Sequence, residues 1–261
     1  MENSSPKLSI IVLNYKTRGL LRQFLRGLLA HPPSCSYEII VIDNGSGDGS
    51  VELMQTEFAD IKLIVSTENL GYTRGTNLGV KEANGEYLWF VNTDVVVLQG
   101  SHIDTLVSAL DSHPQYGSVG PQLRYPDNSL QYSCFRYYTP VTPFLRRSIL
   151  GRTKWGKQQL AHFLMSDWDH STVREVEWLM SSNLMVKRNV LDKIGGWDER
   201  YFIYFSDVDL CRSIWQAGYK VAYIPSAMFV HYLRRQSKSD FRIAIYHAID
   251  FLRYLWKWRG K

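Results

Sequence analysis

The sequence predicts an α/β fold: a mostly parallel central sheet flanked by helices. Two observations carry that reading. Short apolar runs alternate with helix-period segments through the first half of the chain, and a polar cluster follows the end of each run.

Leu8–Leu13, Glu38–Asp43, Lys62–Ser66 and Glu86–Val91 have the length and apolar content of strands. Between the first two, Leu20, Leu21, Phe24, Leu25, Leu28 and Leu29 fall on one helical face, and the pattern stops at His31-Pro32-Pro33. Ser50–Phe58 and Tyr72–Ala83 fill the next two gaps as helices. Sheets with this β-α-β order bind ligands beyond the carboxyl ends of their strands. Residues 122 to 176 lose the regularity and carry Pro126, Pro140 and Pro143 among many Tyr, Arg and Trp, which predicts a long, partly helical insertion over the site. Order returns with a strand-like segment Glu177–Lys187, a short helix Arg188–Ile194, a Gly195-Gly196 break and a helix from Asp207 to Ala217 closed by Gly218. The last helix, Asp240 to Trp258, is amphipathic, with Phe241, Ile245, Ala248, Ile249, Leu252 and Leu255 on one side.

With 261 residues, 45% of them apolar, the chain has enough material for a full core, which excludes a disordered or fibrous class. No apolar stretch approaches the roughly 18 residues of a spanning helix, so neither a signal peptide nor a transmembrane segment is expected. Cys35, Cys134 and Cys211 are odd in number and lack C-x-x-C spacing, so a reducing cytosol is expected. The net charge of +5 is uneven. Residues 231 to 261 hold eight Lys/Arg against Asp240 and Asp250, leaving the rest of the chain at −1. A basic tail on a nearly neutral body suits phosphate groups or a lipid surface and does not suit a protein that coats nucleic acid.

The polar clusters are Asn14-Tyr15, Asp43-Asn44-Gly45-Ser46, Glu68-Asn69 and Asn92-Thr93-Asp94. One such cluster is ordinary turn chemistry; four at successive strand ends outline a site. Asp94 follows an apolar strand directly, and a hard divalent cation on a diphosphate needs only one or two protein carboxylates, so Asp94 is a candidate metal ligand. His231 ends the run Ala227–His231 and precedes Arg234 and Arg235, an imidazole beside two guanidinium groups where a pyrophosphate could be held. Asn69 to Gly79 is a Gly-rich turn into a helix, offering backbone amides with Asn69, Arg74 and Asn77 to an anionic or ribosyl ligand. It matches neither the dinucleotide fingerprint nor a P-loop. Ser206-Asp207-Val208-Asp209 opens a helix and admits two readings: a capping box of Ser206 with Asp209, or a carboxylate, Asp207, serving as general base.

In this order the motifs resemble glycosyltransferases of family 2 with the GT-A fold, and within them the bacterial rhamnosyltransferase-type enzymes of surface polysaccharide synthesis. Val41-Ile42-Asp43-Asn44-Gly45-Ser46 resembles the nucleobase-binding segment, and Asn92-Thr93-Asp94 a variant DxD metal motif. Gly195-Gly196-Trp197-Asp198-Glu199 and Tyr204 to Cys211 resemble the acceptor-side segment and the catalytic dyad. The resemblance implies a GT-A catalytic domain over 1–231: a nucleotide-binding half (1–121), the insertion (122–176) and an acceptor half (177–231), followed by a basic helix (232–261). It implies inversion by a single displacement from a nucleoside diphosphate sugar, dTDP- or UDP-linked and by first expectation dTDP-rhamnose, to a glycan or lipid-linked acceptor. Asn14, Asp43, Asn69, Arg74 and Asn77 would bind the nucleotide. Asp94 and His231 would hold Mg or Mn, Arg234 and Arg235 would meet the diphosphate, Asp207 would be the base, and Trp178, Trp197 and Asp198 would line the acceptor side. The aromatic and cationic C-terminal helix suits peripheral contact with the inner face of an anionic cytoplasmic membrane. Three positions depart from the pattern: Asn92 in place of a carboxylate, Thr93 where proline is common, and Ser206 where glutamate is usual. Ser206 keeps open a nucleotide-sugar-binding module without a working base. A nucleotidyltransferase that makes activated sugars would want glycines after the first strand, where Asn14-Tyr15-Lys16-Thr17-Arg18 stands.

Overall fold

The structure, a computed structural model, describes residues 5–232 and 241–260, without the side chains of 241–244. In chain order the elements begin with β1 (Leu8–Asn14), α1 (Arg18–Ala30), β2 (Tyr37–Asn44), α2 (Ser50–Glu57), β3 (Lys62–Ser66), α3 (Gly71–Glu82) and β4 (Tyr87–Asn92). β5 (Val95–Val96), α4 (Ser101–Ser112), β6 (Tyr116–Arg124), β7 (Leu130–Gln131) and β8 (Cys134–Phe135) lead into the helical stretch α5 (Thr142–Arg147), a 3-10 turn (Ile149–Arg152) and α6 (Lys154–Phe163). The chain continues with β9 (Arg174–Glu175), β10 (Trp178–Leu179), β11 (Asn183–Lys187), α7 (Arg188–Ile194), α8 (Ser206–Gln216), β12 (Lys220–His231) and α9 (Phe241–Lys257).

The main sheet runs β3-β2-β1-β4-β11-β6-β12-β5. β1 to β4 are parallel, as the alternating pattern requires, but β11 enters antiparallel between β4 and β6. The strand-like stretch expected at Glu177–Lys187 is two strands. Trp178–Leu179 leaves to pair with β8, and only Asn183–Lys187 joins the main sheet. Apolar content alone does not mark that break.

Successive residues of each strand supply opposite faces. Ile10, Val12 and Trp89 pack with Phe24 and Leu25 of α1 and with α4, whereas Ile11, Leu88 and Phe90 pack with Trp197 and Val208 near α8. Two glycines are set by close approach. A Cβ on Gly45 would lie 2.6 Å from the Glu68 backbone, and one on Gly71 would lie 2.6 Å from the Phe202 carbonyl; both have positive φ. The second contact, sealed by Tyr72 N–H donating to that carbonyl, ties α3 to the loop before α8.

α9 packs in an unexpected sense. Its inward stripe is Asp250, Tyr254 and Trp258, all buried, while Ile245, Ala248, Ile249, Leu252 and Trp256 are exposed. Of the predicted apolar side, Ile245, Ala248, Ile249 and Leu252 are thus turned outward, whereas Leu255 is half-buried against the core and the Phe241 side chain lies outside those described. The inward face is held by polar anchors: Lys257 Nζ donates to Asp198 (2.9 Å) and Asp209 (2.8 Å), and Trp258 Nε1 donates to Asp209 (2.8 Å). No helix among the described residues is long and apolar enough to cross a membrane.

Candidate active site

The carboxyl ends of β1 and β2 are joined by side chains. Asn14, fully buried, donates through Nδ2 to Asp43 Oδ2 (2.9 Å) and Ser46 Oγ (3.0 Å). Asp43 Oδ1 accepts from Ser46 N–H (3.0 Å). Thr17 Oγ1 donates to Asn14 Oδ1 (2.7 Å) and lies 2.9 Å from the Thr93 hydroxyl, which extends the network to the end of β4. Thr93, a departure from the family pattern, is therefore a connecting hydroxyl. Beside it, Asn69 Oδ1 accepts from Asn44 Nδ2 (3.0 Å) and Gly71 N–H (2.9 Å), shaping the entry to α3. The three participants that sequence reasoning passed over, Ser46, Thr17 and Thr93, are small hydroxyl residues in turn-like contexts. Their only signal was position at a strand end.

Two predicted nucleotide residues point elsewhere. Asn77 Nδ2 donates to the Trp197 carbonyl (2.9 Å) and Glu199 Oε1 (3.0 Å), and its Oδ1 accepts from Trp197 N–H (3.1 Å). Its amide is spent fastening the Gly195–Glu199 turn, because Asn77 lies more than a turn into α3, past the helix entry. Arg74 is exposed and 3.8 Å from Glu199.

Asp94 and His231 are brought together by sheet register. β5 pairs with the end of β12, with Val95 opposite His231, and Tyr232 N–H donates to the Asp94 carbonyl (2.9 Å). Asp94 Oδ1 lies 3.3 Å from His231 Nε2. His231 Nδ1 sits 2.6 Å from Gln131 Oε1, and since an amide oxygen only accepts, Nδ1 carries the proton. In the neutral imidazole, Nε2 then presents a lone pair to a carboxylate oxygen that is buried and has no hydrogen-bond donor among the described residues. Two acceptors facing each other at this distance repel unless a proton or a metal cation lies between them. Nitrogen and carboxylate oxygen are donors suited to manganese or magnesium, so the pair fits a divalent metal. No cluster of three His, Cys, Asp or Glu ligands occurs among the described residues. Gln131, 2% exposed and on a strand of two residues, had no signal in the sequence. Arg234 and Arg235 lie outside the described residues.

Asp207 stands in the first turn of α8. Its Oδ1 accepts from Val208 N–H (2.9 Å), Ser181 N–H approaches Oδ2 at 3.5 Å, and no Lys or Arg pairs with it among the described residues. Burial pushes the carboxyl up to about 6, only partly offset by the backbone amides of Val208 and Ser181. The expected capping box is absent. Ser206 is already helical, Phe205 in the left-handed region occupies the cap without a side-chain bond, and the Ser206 hydroxyl points back to the Ile203 carbonyl at 3.4 Å. Asp209 is buried against Lys257, Trp258 and Tyr201 OH (3.1 Å), so it neither caps α8 nor replaces the missing glutamate. The loop ahead of Asp207 is held by α9: Asp250, fully buried, accepts from the backbone N–H groups of Phe202, Ile203 and Tyr204 (each 3.1 Å at the nearer oxygen). That anchor was invisible in the sequence because it joins residues some fifty positions apart.

The three acceptor-side candidates are committed to packing or pairing. Trp197 is 1% exposed, held edge-on between Tyr72 and Phe90. Trp178 stacks on Phe135 at 4.5 Å and donates to the Arg136 carbonyl (2.8 Å). Both rings are buried, as large aromatics mostly are. Asp198 is ion-paired to Arg200 and Lys257, whose hydrogen bonds outweigh burial and hold its carboxyl well below the usual range.

A mostly parallel sheet with polar side chains at its strand ends, an Asp–His pair at one of them and a desolvated carboxylate at a helix start suits a nucleotide-sugar-dependent glycosyltransferase. Residues 9–166 match the model for glycosyl transferase family 2, and the chain belongs to that family. It is 29% identical to the N-acetylglucosaminyl-diphospho-decaprenol L-rhamnosyltransferase of Mycobacterium tuberculosis, over 94% of this chain and 83% of that one. It is 26% identical to rhamnosyltransferase WbbL of Escherichia coli K12, over 94% and 91%. Among solved structures, the mannosyltransferase PcManGT of Pyrobaculum calidifontis, in complex with GDP-Man and Mn2+, superposes with a TM-score of 0.64 at 18% identity, over 99% of this chain and 66% of that one. At that identity the likeness speaks to the fold, and the fold is GT-A.

Proposed function

We propose that this chain transfers rhamnose from a nucleoside diphosphate, dTDP in first place, to a hydroxyl of a lipid-linked glycan, with inversion and with Asp207 as general base. The observation that carries the reading is Asp207: a carboxyl with no Lys or Arg partner among the described residues, raised by burial to about 6 in the first turn of a helix. A base works best when its pKa lies near the operating pH, and a carboxylate at 6 is both ionised at neutrality and a better proton acceptor than one at 3.8. As the acceptor oxygen attacks the anomeric carbon, its proton passes to Asp207 and the nucleoside diphosphate leaves from the opposite face. Asp43 and Asn14, preset by their mutual hydrogen bonds, receive the nucleobase side of the donor, with Asn69 shaping the turn beside it. Asp94 and His231 would hold the divalent metal, which when bound neutralises charge on the departing diphosphate; Arg234 and Arg235 are assigned to the same phosphates.

The names of the M. tuberculosis and E. coli relatives support rhamnose, and the former's decaprenyl-linked sugar supports a lipid-linked acceptor. The outward apolar stripe of α9 supports peripheral contact with the inner face of the cytoplasmic membrane. A panel of dTDP- and UDP-sugars with Mg or Mn, scored for donor hydrolysis and thermal stabilisation, tests the reading. Metal-dependent stabilisation and hydrolysis with dTDP-rhamnose are expected. A response only to a different sugar nucleotide would replace the donor, and silence across the panel would sink the transferase assignment.

A further inference from the structure

Residues 128–166 contain six Lys/Arg and no Asp or Glu. The helical stretch within them exposes both charge and apolar surface. Phe144, Ile149, Leu150 and Trp155 are 59%, 75%, 45% and 52% exposed, a density of bare large hydrophobics that a surface facing only water does not favour. Interleaved with them, Arg146, Arg147, Arg152, Lys154 and Lys157 are exposed, and none is ion-paired to a carboxylate among the described residues. Arg146, Arg147 and Arg152 rim an open recess of about 510 Å³ with Leu145, Ile149 and Leu160. Ser148 also lines it, with a buried hydroxyl that has no partner. The recess thus sets guanidinium groups beside apolar side chains, the chemistry of a lipid phosphate with its first methylenes.

The stretch adjoins both the base and α9. Arg146 donates to Tyr138 OH (3.0 Å), and the Tyr138 ring packs on Phe205, two residues before Asp207, at 4.8 Å. His247 of α9 is depressed to about 4 by burial and then by the nearby Arg147 and Arg146. The His247 ring also lies 5.2 Å from that of Phe205, so the arginine stretch and α9 meet at one aromatic ring.

We propose that α5, the 3-10 turn and the start of α6 form a docking surface for an anionic phospholipid bilayer, with Phe144, Ile149 and Trp155 entering the interface and the arginine recess taking a lipid phosphate. The surface sets the base side of the cleft toward the membrane; this goes beyond the assignment of α9 alone and rests on the reading that the acceptor is lipid-linked.

Flotation of the full chain with phosphatidylglycerol-containing vesicles and with pure phosphatidylcholine vesicles tests the surface, alongside two variants, Arg147→Gln/Arg152→Gln and Ile149→Ser/Trp155→Ser. All four side chains are exposed, so melting curves should match those of the parent. Expected are binding to the anionic vesicles only and a fall of about tenfold or more in the bound-to-free ratio for each variant, with donor hydrolysis unchanged. Three results would overturn the proposal: no binding by the parent chain, equal binding to both vesicle types, or variants that bind like the parent while Leu252→Ser/Trp256→Ser alone loses binding. Hydrolysis is read separately, so its absence from parent and variants alike would count against the transferase reading and leave the flotation result to decide the surface.

Discussion

The strand ends proposed to bind the donor and the groups proposed to react differ in how completely they are satisfied. Around β1, β2 and β4, Asn14, Asp43, Ser46, Thr17 and Thr93 supply one another's hydrogen bonds. Asp207 has only backbone support among the described residues, and Asp94 Oδ1 faces His231 Nε2 at 3.3 Å without another partner among them. A group that must only bind gains from being preset, whereas a group that must take a proton or a metal has to be left wanting one. The unsatisfied groups are accordingly costly to the fold and are held by neighbours that are fully bonded, as Asp250 and Gln131 are.

The comparison breaks most sharply at Asp207. Asp207→Asn should lower kcat by about 10²- to 10⁴-fold while leaving donor affinity within about threefold, measured by turnover and by titration; unchanged turnover would return the chain to a binding module. In the parent enzyme kcat/KM should rise with pH through about 6, since the base must be deprotonated. The same substitution should stabilise the fold at pH 8 by about 1–3 kcal/mol. The sign follows from the raised folded-state pKa: ionising Asp207 costs nothing below pH 4, costs increasingly from 4 to 6 and costs fully above, so the gain should vanish in acid melts.

Next in size, Gln131→Met should free the His231 ring to adopt the other tautomer and weaken Mn2+ binding by about 10- to 100-fold, read by calorimetry or by the Mn2+ resonance. Unaltered affinity would show that Gln131 does not orient the ligand. Asp250→Asn replaces a charged acceptor of three backbone amides and should cost about 1–3 kcal/mol in chemical denaturation, with kcat falling more than KM changes, because the loop leading to Asp207 loses its anchor. Smallest is Asn77→Ala, with a loss of about 1 kcal/mol and no change in donor affinity; weaker donor binding would return Asn77 to the nucleotide site.

Much of this was legible in the sequence. Alternating runs located β1 to β4 to within a residue or two, because strand and helix periods are local, and polar residues following each run placed Asn14, Asp43, Asn69 and Asp94 at strand ends. Asp207 was legible from its position at a helix start. What stayed hidden depended on partners far along the chain. That Asp94 meets His231, that Gln131 sets its tautomer and that Asp250 caps the loop before Asp207 follow from pairings across 137, 100 and 46 to 48 positions. The outward turn of α9 is the clearest case. Periodicity identified an apolar stripe, but the tertiary structure offered that helix three carboxylate and amide anchors, Asp198, Asp209 and the backbone of residues 202–204, and hydrogen bonds to them, together with the packing of Phe251, Tyr254 and Trp258 on the core, decided which side faces in. Hydrophobic pattern determines that a helix has two faces; only the neighbouring surface determines which face is buried, since burying a charged group is favourable solely where its partners already stand.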